Sequence, residues 1–298
     1  MTRPVDSVIE FLKAEQARGK THILLDQEAR AGLRELFIKA RGSKAPANST
    51  PTPTAKPQTP ASVAPQQAQV ATPEAAPAPA PTPSLNIQGA TKAEKLASLR
   101  EQTQSWQPAT SLETLRKTMV FATGNPDAKV MLIGEAPGHE DERRKEPFVG
   151  SAGQKLTDIL KAMGLSRDEV YISYLVKFRP ATARQTTNNR KPSAEEISAC
   201  MPIIRAEIDI VQPSVIITLG DTAAEGLIDA SGNTASLRGS WHDIDGIPAR
   251  ASYHPSNLLK IDAKNTTKRE VWEDMLAVME KVELPISDKQ RSYFLPKS

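Results

Sequence analysis

The sequence predicts an α/β domain: a three-layer α/β/α sandwich around a central, mostly parallel four-stranded sheet, preceded by a short helical segment and a disordered linker. Three observations carry this expectation. From residue 91 onward, apolar runs alternate with amphipathic stretches. Two of the runs, VMLIG and VIITLG, are continuous and close on glycine, as strands covered on both faces do. Helix signals fall between them: Ser193 with Glu196 three residues on forms a capping-box pattern, and Gly164 stops a helix.

Taken in order, residues 4–41 place Val8, Phe11, Leu12, Leu24, Leu25, Leu33, Leu36 and Phe37 at helical spacing, interrupted by Gly19 and Gly32. Two or three amphipathic helices are expected in 1–41, too short to hold a sizeable core alone, either an accessory hairpin or a docking module for a protein partner. Residues 42–90 are rich in Pro, Ala, Thr and Gln, with few large apolar residues. Such a segment cannot offset its ordering entropy and reads as a PPII-biased tether. Residues 91–298 form the α/β domain. Helices are expected at TKAEKLASLREQTQSW, AGQKLTDILKAMG, SAEEISACMPIIRAEIDIV, DTAAEGLI and KREVWEDMLAVMEKV. Strands are expected at KVMLIG, EVYISYLVKF, PSVIITLG and PARASYHPS.

Composition excludes several classes. No apolar run approaches a membrane span, and the N-terminus lacks the apolar stretch of a secretory signal, so a cytoplasmic location and no membrane partner are the default. A single cysteine, Cys200, excludes an internal disulfide framework. Residues 91–298 hold 28 basic and 28 acidic residues, so a polyanion would have to be held by a local patch rather than a global field.

Two strand ends carry the chemistry. Gly134-Glu135-Ala136-Pro137-Gly138 follows KVMLI, and His254-Pro255-Ser256 follows ARASY. The glycine turn is no P-loop, since no Gly-Lys-Ser/Thr follows, and its spacing does not fit a dinucleotide fingerprint. The order GEAPG, then EDERRKEPFVGSAGQKL, then YISYLVKFRP, then HPSNLL resembles the uracil-DNA glycosylase superfamily, most closely its family four, over residues 95–285. The resemblance implies DNA as partner, extrusion of a damaged base (uracil by default) into a pocket, and hydrolysis of its N-glycosidic bond to an abasic site.

The resemblance also implies residue roles. Glu135 would orient or activate water, Asp141 would add a second acid, and His254 would donate to the base oxygen as it becomes anionic. Gly134, Ala136, Phe148 and Tyr174 would form the base pocket, with Phe148 as stacking face. Ser151, Gly153, Pro255, Ser256 and Lys260 would meet the DNA backbone, and a side chain of the loop carrying Leu258 and Leu259 would wedge into the vacated stack, unless the two are only a first helical turn.

The chain departs from the family in two places. The four cysteines of the family's iron–sulfur cluster are reduced to Cys200, and the cluster motif reads Lys177-Phe178-Arg179-Pro180, so no cofactor is expected and packing of Phe178 and Trp106 would replace it. Tyr174 stands where the family carries the Asn that distinguishes uracil from cytosine, and it would either make one hydrogen bond or fill the pocket. The alternatives to a glycosylase are a non-catalytic DNA-binding or adaptor protein of the same fold and a small-nucleoside hydrolase.

Overall fold

The structure, a computed structural model, describes residues 84–228, 232–259 and 265–294. The expected helices of 1–41, most of the 42–90 segment, and Lys260 lie outside the described residues. The chain is already docked at Leu85 and Ile87, which pack against the core. Helix α1 (Lys92–Thr103) starts at a complete capping box of Thr91 and Glu94, and α2 (Gln107–Thr110) follows. Then come β1 (Leu115–Met119), β2 (Thr123–Gly124), β3 (Val130–Gly134), α3 (His139–Arg144) and α4 (Ser151–Met163). The chain continues through β4 (Tyr171–Tyr174), β5 (Phe178–Pro180), α5 (Ala194–Val211), β6 (Val215–Leu219), α6 (Asp221–Leu227) and α7 (Thr234–Leu237). It ends with β7 (Trp241–Ile244), β8 (Ile247–Ser252), a 3₁₀ turn (Pro255–Leu259), α8 (Asn265–Lys281) and α9 (Asp288–Arg291).

The main sheet runs β2-β4-β3-β6-β8-β7. Its four central strands are parallel, as expected, and an antiparallel strand extends each edge. The continuous apolar runs reflect burial on both faces. Val130 and Leu132 of β3 face α4 and α8, with Leu156, Leu160, Val271 and Met275, while Met131 and Ile133 face the opposite layer, with Leu99, Ile203 and Ile204 of α1 and α5. Each such side chain, fully buried, contributes roughly 1.5–3 kcal/mol relative to exposure.

The expected strand over EVYISYLVKF is two strands. After Tyr174 the chain leaves the main sheet: Leu175 and Val176 N–H still bond to the Gly134 and Glu135 carbonyls, but β5 pairs antiparallel with β1 in a separate ribbon. Lys177, at the crossing, is wholly buried in an ion pair with Glu207 of α5 (Nζ to Oε1 2.8 Å), and Ser173 bridges the two. Burial pushes the Lys177 amine down and the Glu207 carboxyl up, and each charge opposes the other's shift.

Topology places the site. From β3 the chain moves to β4 on one side, then returns to β6 on the other. The carboxyl ends of β3 and β6 therefore flank a topological switch point, where open parallel sheets bind ligands.

Candidate active site

A cavity of about 560 Å³ opens at these strand ends. It is lined by Glu135 after β3, Gly220 and Asp221 after β6, His254 after β8, Tyr174 at the end of β4, and the 138–153 segment. Glu135 is half-buried, and its carboxylate makes no hydrogen bond or ion pair among the described residues. Its backbone is fixed, because the Val176 N–H donates to its carbonyl at 3.0 Å.

His254 is fixed from one side. The backbone N–H of Ser256 donates to its Nδ1 at 3.2 Å, and the Ser256 hydroxyl lies 2.7 Å from the same nitrogen. A backbone N–H is an obligate donor, so Nδ1 accepts and Nε2 carries the proton. Burial pushes the imidazole down to about 4, against the opposing charge of Asp141. At neutral pH, His254 is a neutral N–H donor lining the cavity. Ser256 therefore orients the imidazole, and Pro255 is buried at the start of the 3₁₀ turn.

This burial has a pH signature. Unfolded, an imidazole takes up its proton near pH 6.5; folded, His254 stays neutral down to about 4. Between those values the unfolded chain binds more protons, so the contribution is whole above pH 6.5 and is lost as pH falls towards 4, by about 3 kcal/mol at this site. The gap in urea-unfolding free energy between wild type and His254→Asn should therefore shift in the variant's favour by about 3 kcal/mol on going from pH 7 to pH 4. A gap that does not change with pH contradicts the buried neutral imidazole.

Phe148 and Tyr174 form one stack, with centroids 4.8 Å apart, and both are nearly inaccessible, at 3% and 2% exposure. His254 lies beyond Phe148, with a ring separation of 5.7 Å. Phe148 has φ 54°, a conformation that bulky side chains avoid. Its neighbours hold it there: its N–H donates to the Tyr174 hydroxyl (3.1 Å), its carbonyl accepts from Arg167 Nη1 (3.1 Å), and Arg167 also bonds the Pro147 carbonyl. Such over-determined strain is common at ligand sites. Gly134 is needed beneath the stack, because a Cβ there would lie 2.6 Å from the Phe148 ring.

The geometry gives three expected site residues their surroundings. Asp141, expected as a second acid, lines the cavity and accepts from the Gly138 N–H (2.8 Å), the Val149 N–H (2.9 Å) and the Tyr174 hydroxyl (2.9 Å). Gly153, expected at a phosphate, lines the cavity and is buried against the Phe148 carbonyl, and Ser151 is exposed on the rim. Of the two leucines on the expected wedge loop, Leu258 packs on the α4–α8 side and Leu259 is 43% exposed. Ala136 lines the cavity. Sequence reasoning passed over Thr187, Asn189, Lys191 and Asp221, which also line it.

Trp106, Phe178 and Cys200 are buried in one apolar cluster, and Trp106 Nε1 donates to the Ala199 carbonyl at 2.7 Å. Burial pushes the lone Cys200 thiol up to about 11, away from the thiolate that binds metal. One thiol does not fit a cluster held by four.

A cleft at a switch point of a parallel sheet, with an acid on one strand end and a neutral imidazole donor on another, is where α/β proteins of this architecture bind ligands. The model of the uracil DNA glycosylase superfamily matches residues 121–276. The chain is 37% identical over 169 residues to a type-4 uracil-DNA glycosylase of Thermotoga maritima, covering 56% of this chain and 84% of that protein. It is 45% identical over 153 residues to a type-4 uracil-DNA glycosylase of Saccharolobus solfataricus (48% of this chain, 68% of that protein). A type-5 enzyme of Pyrobaculum aerophilum is 33% identical over 152 residues, 45% of this chain and 64% of that protein. The chain belongs to the uracil-DNA glycosylase superfamily, and its relatives fit the type-4 branch.

Proposed function

We propose that the protein is a DNA glycosylase that hydrolyses the N-glycosidic bond of a damaged base, uracil by default, and leaves an abasic site. The observation that carries this is the presence on one cavity of Glu135, whose carboxylate has no partner among the described residues, and a neutral, Ser256-oriented His254. The base is extruded from the stack into the cavity. The C1′–N bond breaks, its electron pair leaves with the base, and the sugar becomes an oxocarbenium-like cation. His254 Nε2–H stabilises the anion growing on the base oxygen, as a donor aimed at developing charge. Glu135 stabilises the cation, orients a water at C1′ and takes its proton as the new C–O bond forms.

The type-4 and type-5 names of the relatives support DNA as substrate. Among the described residues no helix is long and apolar enough to cross a membrane. A cytoplasmic site of action remains part of this proposal. The segment 1–41 is proposed as the attachment point for any protein partner.

The protein is proposed to work without an iron–sulfur cluster. Among the described residues no group of three or more His, Cys, Asp or Glu is placed to hold a metal. Protein purified without oxygen should carry far less than one iron per chain and show no visible charge-transfer band, and stoichiometric iron with such a band would refute this.

The competing reading is a DNA-binding adaptor, favoured by Tyr174, whose hydroxyl is taken up by Asp141 and Phe148. Single- and double-stranded oligonucleotides carrying uracil, hypoxanthine or xanthine separate the two. After incubation, alkali should cut at abasic sites; binding without scission on any of them supports the adaptor.

A further inference from the structure

The edge of a base must be read by polar groups with free hydrogen-bonding capacity, since a mismatched group then goes unpaired. Tyr174 has none. Its hydroxyl donates to Asp141 Oδ2 and accepts from the Phe148 N–H, and its ring is stacked on Phe148. Asp141 already accepts three hydrogen bonds, and a carboxylate has no donor to offer a base carbonyl.

A free group stands on the same wall. Asn189 lines the cavity, and its Nδ2 lies 3.1 Å from where a Cβ of Gly138 would sit, beside Asp141 Oδ2 at 3.3 Å from that point. Its amide orientation is fixed, because Arg179 Nε donates to Oδ1 at 3.0 Å and so leaves Nδ2 as the outward atom. Arg179 is itself buried (1% exposed), and its remaining donors hold the Thr186 and Asn188 carbonyls, Glu142 Oε2 and His139 Nδ1. A buried guanidinium thus braces the loop that carries Asn189. Asn189 is exposed at the cavity mouth, and its Nδ2 has no protein acceptor among the described residues.

We propose that Asn189, rather than the residue at position 174, reads the base edge, and that the pocket accepts deaminated bases bearing an exocyclic carbonyl, purine as well as pyrimidine. This rests on the glycosylase reading. A donor whose partner oxygen is already held by Arg179 reads an acceptor, which uracil presents at C4 and hypoxanthine at C6. It is mismatched with the amino groups that cytosine and adenine present there. Tyr174 offers nothing to the N3–H that marks uracil. The cavity is also within the size range of pockets that enclose ligands larger than a pyrimidine.

The test is binding to oligonucleotides whose target nucleotide is a 2′-fluoroarabino analogue, which resists glycosidic cleavage. These carry uracil, cytosine, hypoxanthine or adenine and are followed by fluorescence anisotropy. Wild type should favour uracil over cytosine and hypoxanthine over adenine by about tenfold. Asn189→Ala should abolish both preferences. Asn189→Asp still accepts from Arg179 but presents an acceptor, and should reverse them, which a merely structural role would not do. Preferences that persist in both variants, or that are absent from wild type, overturn the proposal. Failure of the glycosylase reading is seen separately, as no base release from ordinary nucleotides.

Discussion

Glu135→Gln should bind a uracil-bearing strand as wild type does and release its base about 10²- to 10⁴-fold more slowly. The substitution keeps the shape and removes the charge and the proton acceptor. Glu135 follows the last residue of β3, where the pairing of Gly134 with Tyr174 and the Val176 N–H bond fix its backbone. Its carboxylate is spent on no neighbour among the described residues, unlike that of Asp141. The loss should therefore appear in the single-turnover rate and not in affinity, because the acid acts on charge that exists only in the transition state. A variant as fast as wild type would remove Glu135 from the reaction.

Gly153→Ala should destabilise the domain by about 3 kcal/mol or more and lower activity with it. A Cβ at Gly153 would lie 1.7 Å from the Phe148 carbonyl oxygen and 2.0 Å from its carbon. Those are backbone atoms that cannot rotate away. Phe148 is already held in the left-handed region by Tyr174 and Arg167, so moving its backbone breaks the stack and the bonds beneath it. Urea unfolding measures the loss; an unchanged midpoint would show that the α4–Phe148 contact is looser than described. Gly164, with nothing near its Cβ position, is the contrasting glycine: its φ of 83° ends α4.

The parts of the fold legible in the sequence are those buried on both sides. β3 and β6 announce themselves as unbroken apolar runs, and α5 begins at the capping box of Ser193 and Glu196, both of whose bonds form. The edge strands β2 and β7 carry no such run: one is two residues long, and the other is mostly exposed. Helix α3 hides inside HEDERR, where only Asp141 is buried and no apolar residue marks a face. In the site, Glu135 and His254 were legible because glycine and proline mark strand ends. The Tyr174–Asp141 bond spans 33 residues and the Arg179–Asn189 bond lies in a polar loop without periodicity, so neither leaves a local signal. Tyr174, which the sequence marks only as the last residue of an apolar strand, ties Asp141 to Phe148.

The most direct measurement is single-turnover release of free uracil, quantified against abasic sites in the same strand, for wild type and His254→Asn at pH 7. One free base per abasic site is expected from wild type, with the variant about 10²- to 10³-fold slower at similar DNA affinity, as for loss of one donor to a developing anion. A wild-type protein that binds the strand and leaves the base attached, or a variant that releases it at the wild-type rate, would contradict the account.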